Sequence, residues 1–167
     1  MLASIRKILY TTDMSENSRR AFDYTVSLAE KYDAEIVILH VIELLSSSTQ
    51  MQVSTYLGSE TWEKIQQENE QKLFADTRTH LKAFCEQSTA AGTIGCPLDK
   101  NIIVRKGIPM ETILEASKSI DADLIVMGTH GYGLVRDALM GGTVRHVLRR
   151  SLIPVLVVPS PTRTKKA

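Results

Sequence analysis

The sequence predicts an α/β fold with a single doubly wound, parallel sheet of five strands. Short apolar runs alternate with longer segments of helical periodicity along its 167 residues. Runs such as 36–39 and 122–127 are continuously apolar, which is typical of strands that helices cover on both faces. Because a helical segment follows nearly every strand, the strands are expected to run parallel in one sheet.

The first strand is predicted at residues 5–10 and the second at residues 35–41. Between them a helix is predicted at residues 16–32, with Ser15 as its N-cap residue. One face of this helix is apolar at helical spacing and is formed by Ala21, Phe22, Thr25, Leu28, Ala29 and Tyr32. That face is expected to pack against the sheet.

Residues 44–59 predict a long surface loop, because the run from Ser46 to Thr49 is typical of irregular structure. Loops of this length are often functional, so the segment is expected to border the ligand cleft or a partner; a tolerated insertion is the alternative. A long helix is predicted at residues 60–90. Its inward stripe is predicted to consist of Ile65, Leu73, Phe74, Thr77, Leu81, Phe84, Cys85 and Ser88.

The rest of the chain continues the alternation of strands and helices. The predicted elements are a strand at 99–106, a helix at 109–120, a strand at 122–127, a helix at 144–150 and a strand at 155–158. Pro109 favours the start of its helix, since proline is well tolerated at the first helical position. The whole of residues 1–159 is expected to form one domain, followed by a disordered tail at 160–167.

Composition excludes several classes of function. The net charge is +1, which gives no basic surface for nucleic acid or for a membrane. The two cysteines, Cys85 and Cys96, are too far apart for a C-x-x-C motif, so neither a disulfide framework nor a zinc site is expected. Arg6 and Lys7 interrupt the N-terminal apolar residues, and no apolar run approaches the length of a membrane span. A cytoplasmic protein is therefore expected.

Two groups of glycines near the C-terminus point to an anion site. Gly128 and Gly131 follow the fourth strand, and Gly141 and Gly142 precede Thr143 and the last helix. Glycine lets a ligand approach backbone N–H groups closely, and the first N–H groups of a helix have no partner inside it. The two groups are interpreted as two sides of one phosphate cradle. The alternative is a loop that needs glycines only for turning and packing.

The spacing of these glycines resembles the nucleotide-binding signature of the universal stress protein family, G-x2-G-x9-G-S/T. Gly128, Gly131 and Gly141 match it, and the flanking segments DLIVMGTHG and PVLVVP are similar to those of the family. The resemblance covers nearly the whole chain. It implies a Rossmann-like, adenine nucleotide alpha hydrolase-like fold with strand order 3-2-1-4-5. In that order strands one and four meet at the switch point where ligands of open α/β sheets bind.

The resemblance also implies the residues of an ATP site. Thr11, Thr12 and Asp13 would line the adenosine end, and Val41 matches the position whose backbone contacts adenine. Asp13 is alternatively a polar residue of the turn before the first helix, and Val41 alternatively a core residue. Residues around the ribose and phosphates would be Met127, Gly128, His130, Gly131, Gly141, Gly142, Thr143 and Val144.

This chain departs from the signature at one position. Gly142 stands where the family has Ser or Thr, and Thr143 follows one place later. In ATP-binding members that hydroxyl helps to hold phosphate, and a hydrogen bond to a charged group contributes about 1.5–3 kcal/mol. The backbone donors remain, and Thr143 is a candidate substitute.

The implied ligand is ATP, with AMP or another adenine nucleotide as alternatives, and with Mg or Mn held through the phosphates. The implied partner is a second copy, paired through the edge strand Val155–Val158. The function expected is that of an ATP-binding regulator of the stress response, and weak hydrolysis is an open option without an evident general base. A stress or interaction protein that binds no nucleotide and acts through its dimer is the alternative. A true hydrolase or transferase is a third option, although no P-loop and no G-x-S-x-G elbow is present.

Overall fold

A computed structural model of the chain describes residues 4–44, 46–89, 101–129 and 140–159. Its strands are Lys7–Thr11 (β1), Glu35–Glu43 (β2), Ile102–Gly107 (β3), Leu124–Gly128 (β4) and Val155–Val158 (β5). Its helices are Glu16–Tyr32 (α1), Ser47–Leu57 (α2), Ser59–Thr89 (α3), Pro109–Ser119 (α4) and Gly142–Arg150 (α5). The strands form one sheet in the order β3-β2-β1-β4-β5, and all four pairings are parallel. The predicted fold class and strand order are confirmed.

Two apolar layers cover the sheet, one on each face. Alternate residues of β1 point to opposite faces, so that Ile8 and Tyr10 enter one layer and Leu9 enters the other. The first layer packs the sheet against α1 and α3 and includes the fully buried Phe22. The second packs it against α4 and α5. Since both faces are covered, the continuous apolar runs of the central strands follow directly from the architecture.

Helix α1 has the predicted bounds. The Ser15 hydroxyl accepts a hydrogen bond from the Ser18 N–H at 3.3 Å and caps the N-terminus, and Asp33 ends the helix in the left-handed region at φ 52°. Phe22 and Ala29 are buried as expected. Tyr32 is 46% exposed, so its predicted burial was wrong. It is the last residue of the helix.

The predicted loop at 44–59 was wrong, because most of it is helix α2. The Ser46 hydroxyl accepts a hydrogen bond from the Thr49 N–H at 3.2 Å, so this serine is an N-cap residue. Gly58, at φ +84°, separates α2 from α3. The same residue types favour loops and helix caps, which is why the serine-rich run was misinterpreted.

The predicted inward stripe of α3 is only partly correct. Leu81 and Phe84 are buried, together with Thr77 and Cys85, whereas Ile65 is 37% and Leu73 is 46% exposed. At about 1.5 Å per residue this helix is roughly 46 Å long, much longer than the strands it packs on. Its N-terminal half meets β3 through polar side chains, since the Lys106 ammonium lies 3.4 Å from Gln66 and from Glu70. The side chain of Ser88 lies outside the described residues.

Several strands end later than predicted, on the side where the site lies. β1 ends at Thr11, β2 at Glu43, β3 at Gly107 and β4 at Gly128. Polar residues and glycines weaken the apolar signal at these positions, but pairing with the neighbouring strand continues the ladder. Helix α5 begins at Gly142, two residues before the predicted start. None of the helices that the structure describes is long and apolar enough to cross a membrane.

Asp123 joins β4 to β1 at the amino edge of the sheet. Its carboxylate accepts hydrogen bonds from the N–H groups of Arg6 at 2.8 Å and of Lys7 at 2.9 Å. These two bonds lower the pKa of Asp123 below its ordinary value of 3.8, and the bond from Arg6 has the largest effect. The residue has a structural role and lies at the opposite edge from the candidate site.

Asp123→Ala is expected to lower the free energy of unfolding by about 1–2 kcal/mol at neutral pH, a figure reduced for solvent exposure. Since the carboxyl pKa is lower in the folded protein, its stabilisation is complete above the unfolded pKa and is lost as pH falls through the folded one. Urea unfolding of both proteins from pH 7 to pH 2 measures the difference, which should shrink below about pH 4. Asp23→Ala, at an exposed carboxylate of α1, is the control and should change stability by less than about 0.5 kcal/mol.

Candidate functional site

A cavity of about 430 Å³ opens at the carboxyl edge of the sheet, above the ends of β1, β2 and β4. This is the switch point of the strand order, where β1 lies between β2 and β4. The cavity is lined by Thr11, Thr12, Asp13, Ser18, Leu39, His40, Val41, Glu43, Pro109, Ile113, Met127, Gly128, Gly141, Gly142, Thr143 and Val144. Its volume is within the ordinary range for small-molecule sites.

Most of the residues predicted for the site meet in this cavity. They come from three separate parts of the sequence: the end of β1, the end of β2, and the segments around β4 and α5. Those that line it are Thr11, Thr12, Asp13, Val41, Met127, Gly128, Gly141, Gly142, Thr143 and Val144. The other two, His130 and Gly131, lie outside the described residues. A ligand role for each remains a prediction.

Six lining residues were not predicted as part of the site: Ser18, Leu39, His40, Glu43, Pro109 and Ile113. A signal was available for two of them. His40 and Glu43 are polar residues near the end of the second strand, next to Val41, and the implied strand order already placed that end beside the first strand. Pro109 and Ile113 belong to α4, whose approach to the cavity depends on how the helix packs.

The turn between β1 and α1 is held by side-chain hydrogen bonds. One oxygen of the Asp13 carboxylate accepts from the Ser15 N–H at 3.0 Å and from the Ser15 hydroxyl at 2.6 Å. The Thr12 hydroxyl accepts from the Met14 N–H at 2.9 Å and donates to the Ser18 hydroxyl, also at 2.9 Å. Asp13 thus has the structural role of a turn residue.

Met14 adopts φ 62°, in the left-handed region that only glycine enters without cost. Below the turn, the Tyr10 hydroxyl donates to the Ser18 carbonyl at 2.7 Å. Burial raises the pKa of Tyr10 well above its usual range, so the phenol stays protonated as a fixed donor. Hydrogen bonds therefore link the turn after β1 to the start of α1 on this side of the cavity.

The N-terminus of α5 presents free donors to the cavity. The Gly141 N–H donates to the Thr129 carbonyl at 2.9 Å, and the first helical bond runs from the Arg145 N–H to the Gly141 carbonyl at 3.1 Å. The N–H groups of Gly142, Thr143 and Val144 consequently have no partner within the helix. Among the described residues no side chain caps the helix at Gly141, and its first turn contains no acidic residue. Three donors and the positive end of the helix dipole make an anion-binding surface.

Packing does not require glycine at 142. A Cβ built on Gly142 would have no atom of the described residues within 4 Å. The departure from Ser or Thr at this position therefore removes a hydroxyl from the cavity wall without any steric reason. Among the described residues no group of three or more His, Cys, Asp or Glu side chains could hold a metal ion.

The universal stress protein family model matches residues 4–159, which is almost the whole chain. The chain belongs to the universal stress protein family. Its relatives include universal stress protein MJ0577 of Methanocaldococcus jannaschii, with 29% identity over 162 residues, or 95% of this chain and 97% of the relative. Universal stress protein YxiE of Bacillus subtilis is 27% identical over 153 residues, or 91% of this chain and 97% of the relative.

Solved structures agree with this assignment. The structure of MJ0577 matches with a TM-score of 0.71 at 26% identity, over 93% of this chain and 96% of that protein. A universal stress protein in complex with cAMP matches with a TM-score of 0.59 at 23% identity, over 93% of this chain and 98% of that protein. The fold of this universal stress protein is therefore the fold of its family.

Proposed function

We propose that this universal stress protein is a cytoplasmic regulator of the stress response that binds ATP in the cavity at the carboxyl edge of its sheet. The observation that carries the proposal is the wall formed by α5. Gly142, Thr143 and Val144 turn uncapped N–H groups toward a cavity whose opposite side is the polar turn after β1. An anion with an attached polar body, as in a nucleotide, is complementary to such a wall.

The proposed pose places the phosphates against α5 and the adenosine over the ends of β1 and β2. Thr11, Thr12 and Asp13 would contact the ribose or the base, and the Val41 backbone would contact the base. Thr143 would provide the side-chain hydroxyl that Gly142 lacks. Met127 and Gly128, with His130 and Gly131, would lie along the ribose and phosphates. A Mg or Mn ion would be held mainly by phosphate oxygens and water.

A thermal melt with and without magnesium and ATP tests the proposal, with GTP as the control. A ligand at a hundred times its Kd adds about 2.7 kcal/mol to stability, which for a domain of this size is roughly 5–11 °C in Tm. A rise of this size with ATP and a smaller one with GTP is expected. Melts with AMP and with cAMP show how much the extra phosphates of ATP contribute to the rise in Tm. cAMP is the ligand of one structural relative. An unchanged Tm at millimolar ATP would refute nucleotide binding.

The second candidate function is a stress or interaction protein that binds no nucleotide and acts through its dimer. Gly142 favours it, because the cavity wall has lost the family's phosphate-binding hydroxyl. Under this alternative the melting temperature would not change with ATP. Under both candidates it would depend on protein concentration, since association stabilises the folded state.

In either case the chain is proposed to form a homodimer through the edge strand Val155–Val158. The Ile125 N–H bonds to the Pro154 carbonyl and the Thr129 N–H bonds to the Val158 carbonyl, so residues 154, 156 and 158 face β4. By the alternation of a parallel ladder, the N–H and C=O groups of Val155 and Val157 point away from the sheet. Leu152, just before the strand, is fully exposed. An apolar edge of this kind favours pairing with a second copy.

Val157→Pro is expected to convert the dimer to a monomer. It removes an outward N–H group and leaves the hydrogen bonds to β4 intact, since proline is tolerated on an edge strand. Light scattering at micromolar concentration measures the mass, and Val157→Thr, which keeps the N–H group, is the matched control. A wild type with monomeric mass, or a Val157→Pro variant with the mass of a dimer, would contradict pairing through this edge.

A further inference from the structure

His40 lies in the cavity wall and holds the carbonyl group of Thr12. Its Nδ1 atom is 2.8 Å from the Thr12 oxygen, across 28 residues of sequence. A carbonyl oxygen can only accept, so Nδ1 carries the proton and donates it. The ring thus joins the end of β2 to the turn after β1, the turn that carries Asp13.

This contact replaces a bond of the β-ladder. The Thr12 N–H donates to the Leu39 carbonyl at 3.0 Å, which continues the β1–β2 ladder one residue beyond Thr11. In a regular parallel ladder the Thr12 carbonyl would then accept from the Val41 N–H. Within the described ranges no backbone hydrogen bond joins these two groups, and the carbonyl is bound to the His40 ring instead.

The next ladder bond is also diverted. The Val41 carbonyl would accept from the Met14 N–H, but that N–H donates to the Thr12 hydroxyl at 2.9 Å. Because the N–H and C=O of one strand residue point to the same side, both backbone groups of Val41 face the space above the end of β1. Val41 lines the cavity there. The Val41 N–H, a donor, and the Val41 C=O, an acceptor, therefore lie side by side in the cavity, and neither is bonded to β1.

We propose that His40 is the positioning residue of this site: by holding the Thr12 carbonyl it keeps the Val41 backbone open for the edge of a ligand's ring. A ring with neighbouring acceptor and donor atoms, such as adenine with N1 and its 6-amino group, is complementary to this pair. The inference rests on the proposed nucleotide function for its ligand. The part of the inference that concerns the structure, that the Val41 backbone groups are not bonded to β1, applies to the ligand-free protein.

Two variants separate the role of Nδ1 from the mere presence of a polar side chain. In His40→Asn the amide nitrogen is as many bonds from Cα as Nδ1, so the donor to Thr12 is kept. In His40→Gln the amide nitrogen corresponds to Nε2, and the donor to Thr12 is lost. The Thr12 carbonyl is then free to accept from the Val41 N–H, which closes the ladder over the site.

Amide hydrogen exchange in the ligand-free proteins is the first measurement. The Val41 amide should exchange at least tenfold faster than that of Leu39, which lies in the β1–β2 ladder. In His40→Gln the Val41 amide should become protected, and in His40→Asn it should resemble wild type. A wild-type Val41 amide as protected as Leu39, or equal behaviour of the two variants, would overturn the proposal.

Calorimetric titration with magnesium and ATP is the second measurement. His40→Gln should weaken binding about tenfold, the equivalent of one to two lost hydrogen bonds, and His40→Asn should stay within about threefold of wild type. Equal affinities for the two variants would overturn the proposal. If wild type itself binds no ATP, the nucleotide function fails, and the exchange measurement still decides whether His40 keeps Val41 open.

Discussion

Gly142→Asp is expected to abolish ATP binding while leaving the fold intact. The new carboxylate would stand in front of the uncapped N–H groups of Thr143 and Val144 and would repel the phosphates. Within the part of the chain that the structure describes, the Cβ position has no contact within 4 Å, so none of these residues needs to move. An acidic residue in the first turn also stabilises a helix by about 0.3–1 kcal/mol. The Tm of the ligand-free protein should therefore stay the same or rise slightly.

The expected loss of affinity is at least about a hundredfold, because a favourable anion site becomes a repulsive one. Titration calorimetry measures it. Gly142→Ser is the matched variant: it restores the hydroxyl of the family signature in the same free space and should strengthen binding up to about tenfold. If Gly142→Asp still binds ATP as wild type does, the phosphates do not lie against α5. If Gly142→Ser leaves the affinity unchanged, Thr143 already supplies the hydroxyl contact.

Phe22→Ala is expected to lower the free energy of unfolding by about 3–5 kcal/mol. Phe22 is fully buried, and its ring centroid is 5.1 Å from that of Tyr10 and 6.2 Å from that of Phe84. Truncation leaves a cavity at the contact of α1, α3 and β1, and it removes two aromatic contacts. Because Tyr10 supports the turn below the site, the variant should also weaken ligand binding.

Urea unfolding followed by circular dichroism measures the stability of this variant. Tyr56→Ala is the control, since Tyr56 is an aromatic residue of α2 that is 90% exposed. Its expected effect is within about 0.5 kcal/mol. A loss below about 1 kcal/mol for Phe22→Ala would mean that the core between α1 and α3 collapses into the space, contrary to the packing described.

Several features were predictable from local pattern. The bounds of α1 and β5 agree with the prediction, because Ser15 and Asp33 mark the ends of the helix and prolines flank the strand. The sheet itself followed from the alternation of continuous apolar runs with helical periodicity. Gly128, Gly141 and Thr143 were placed in one site because the spacing of the glycines resembles a family signature. Each of these signals lies within a short stretch of sequence.

Other features depended on contacts that no local pattern records. Whether Ile65 and Leu73 are buried depends on which face of α3 turns toward its neighbours at each turn, and both have the same helical spacing as the buried Leu81. Ser46 is the N-cap residue of α2 rather than a loop residue. Serine favours both positions, so the residue type alone does not distinguish them.

The sequence by itself determined the alternation of strands and helices outside α2, most of the apolar layers and the glycine segment that meets the switch point. It did so because periodicity and turn chemistry act over a few neighbouring residues. Only the tertiary structure decided which polar groups of the cavity are engaged. His40 reaches the Thr12 carbonyl because the parallel sheet places the ends of β1 and β2 side by side. A contact between residues so far apart in sequence depends on the register of two strands, and register is a property of the assembled sheet.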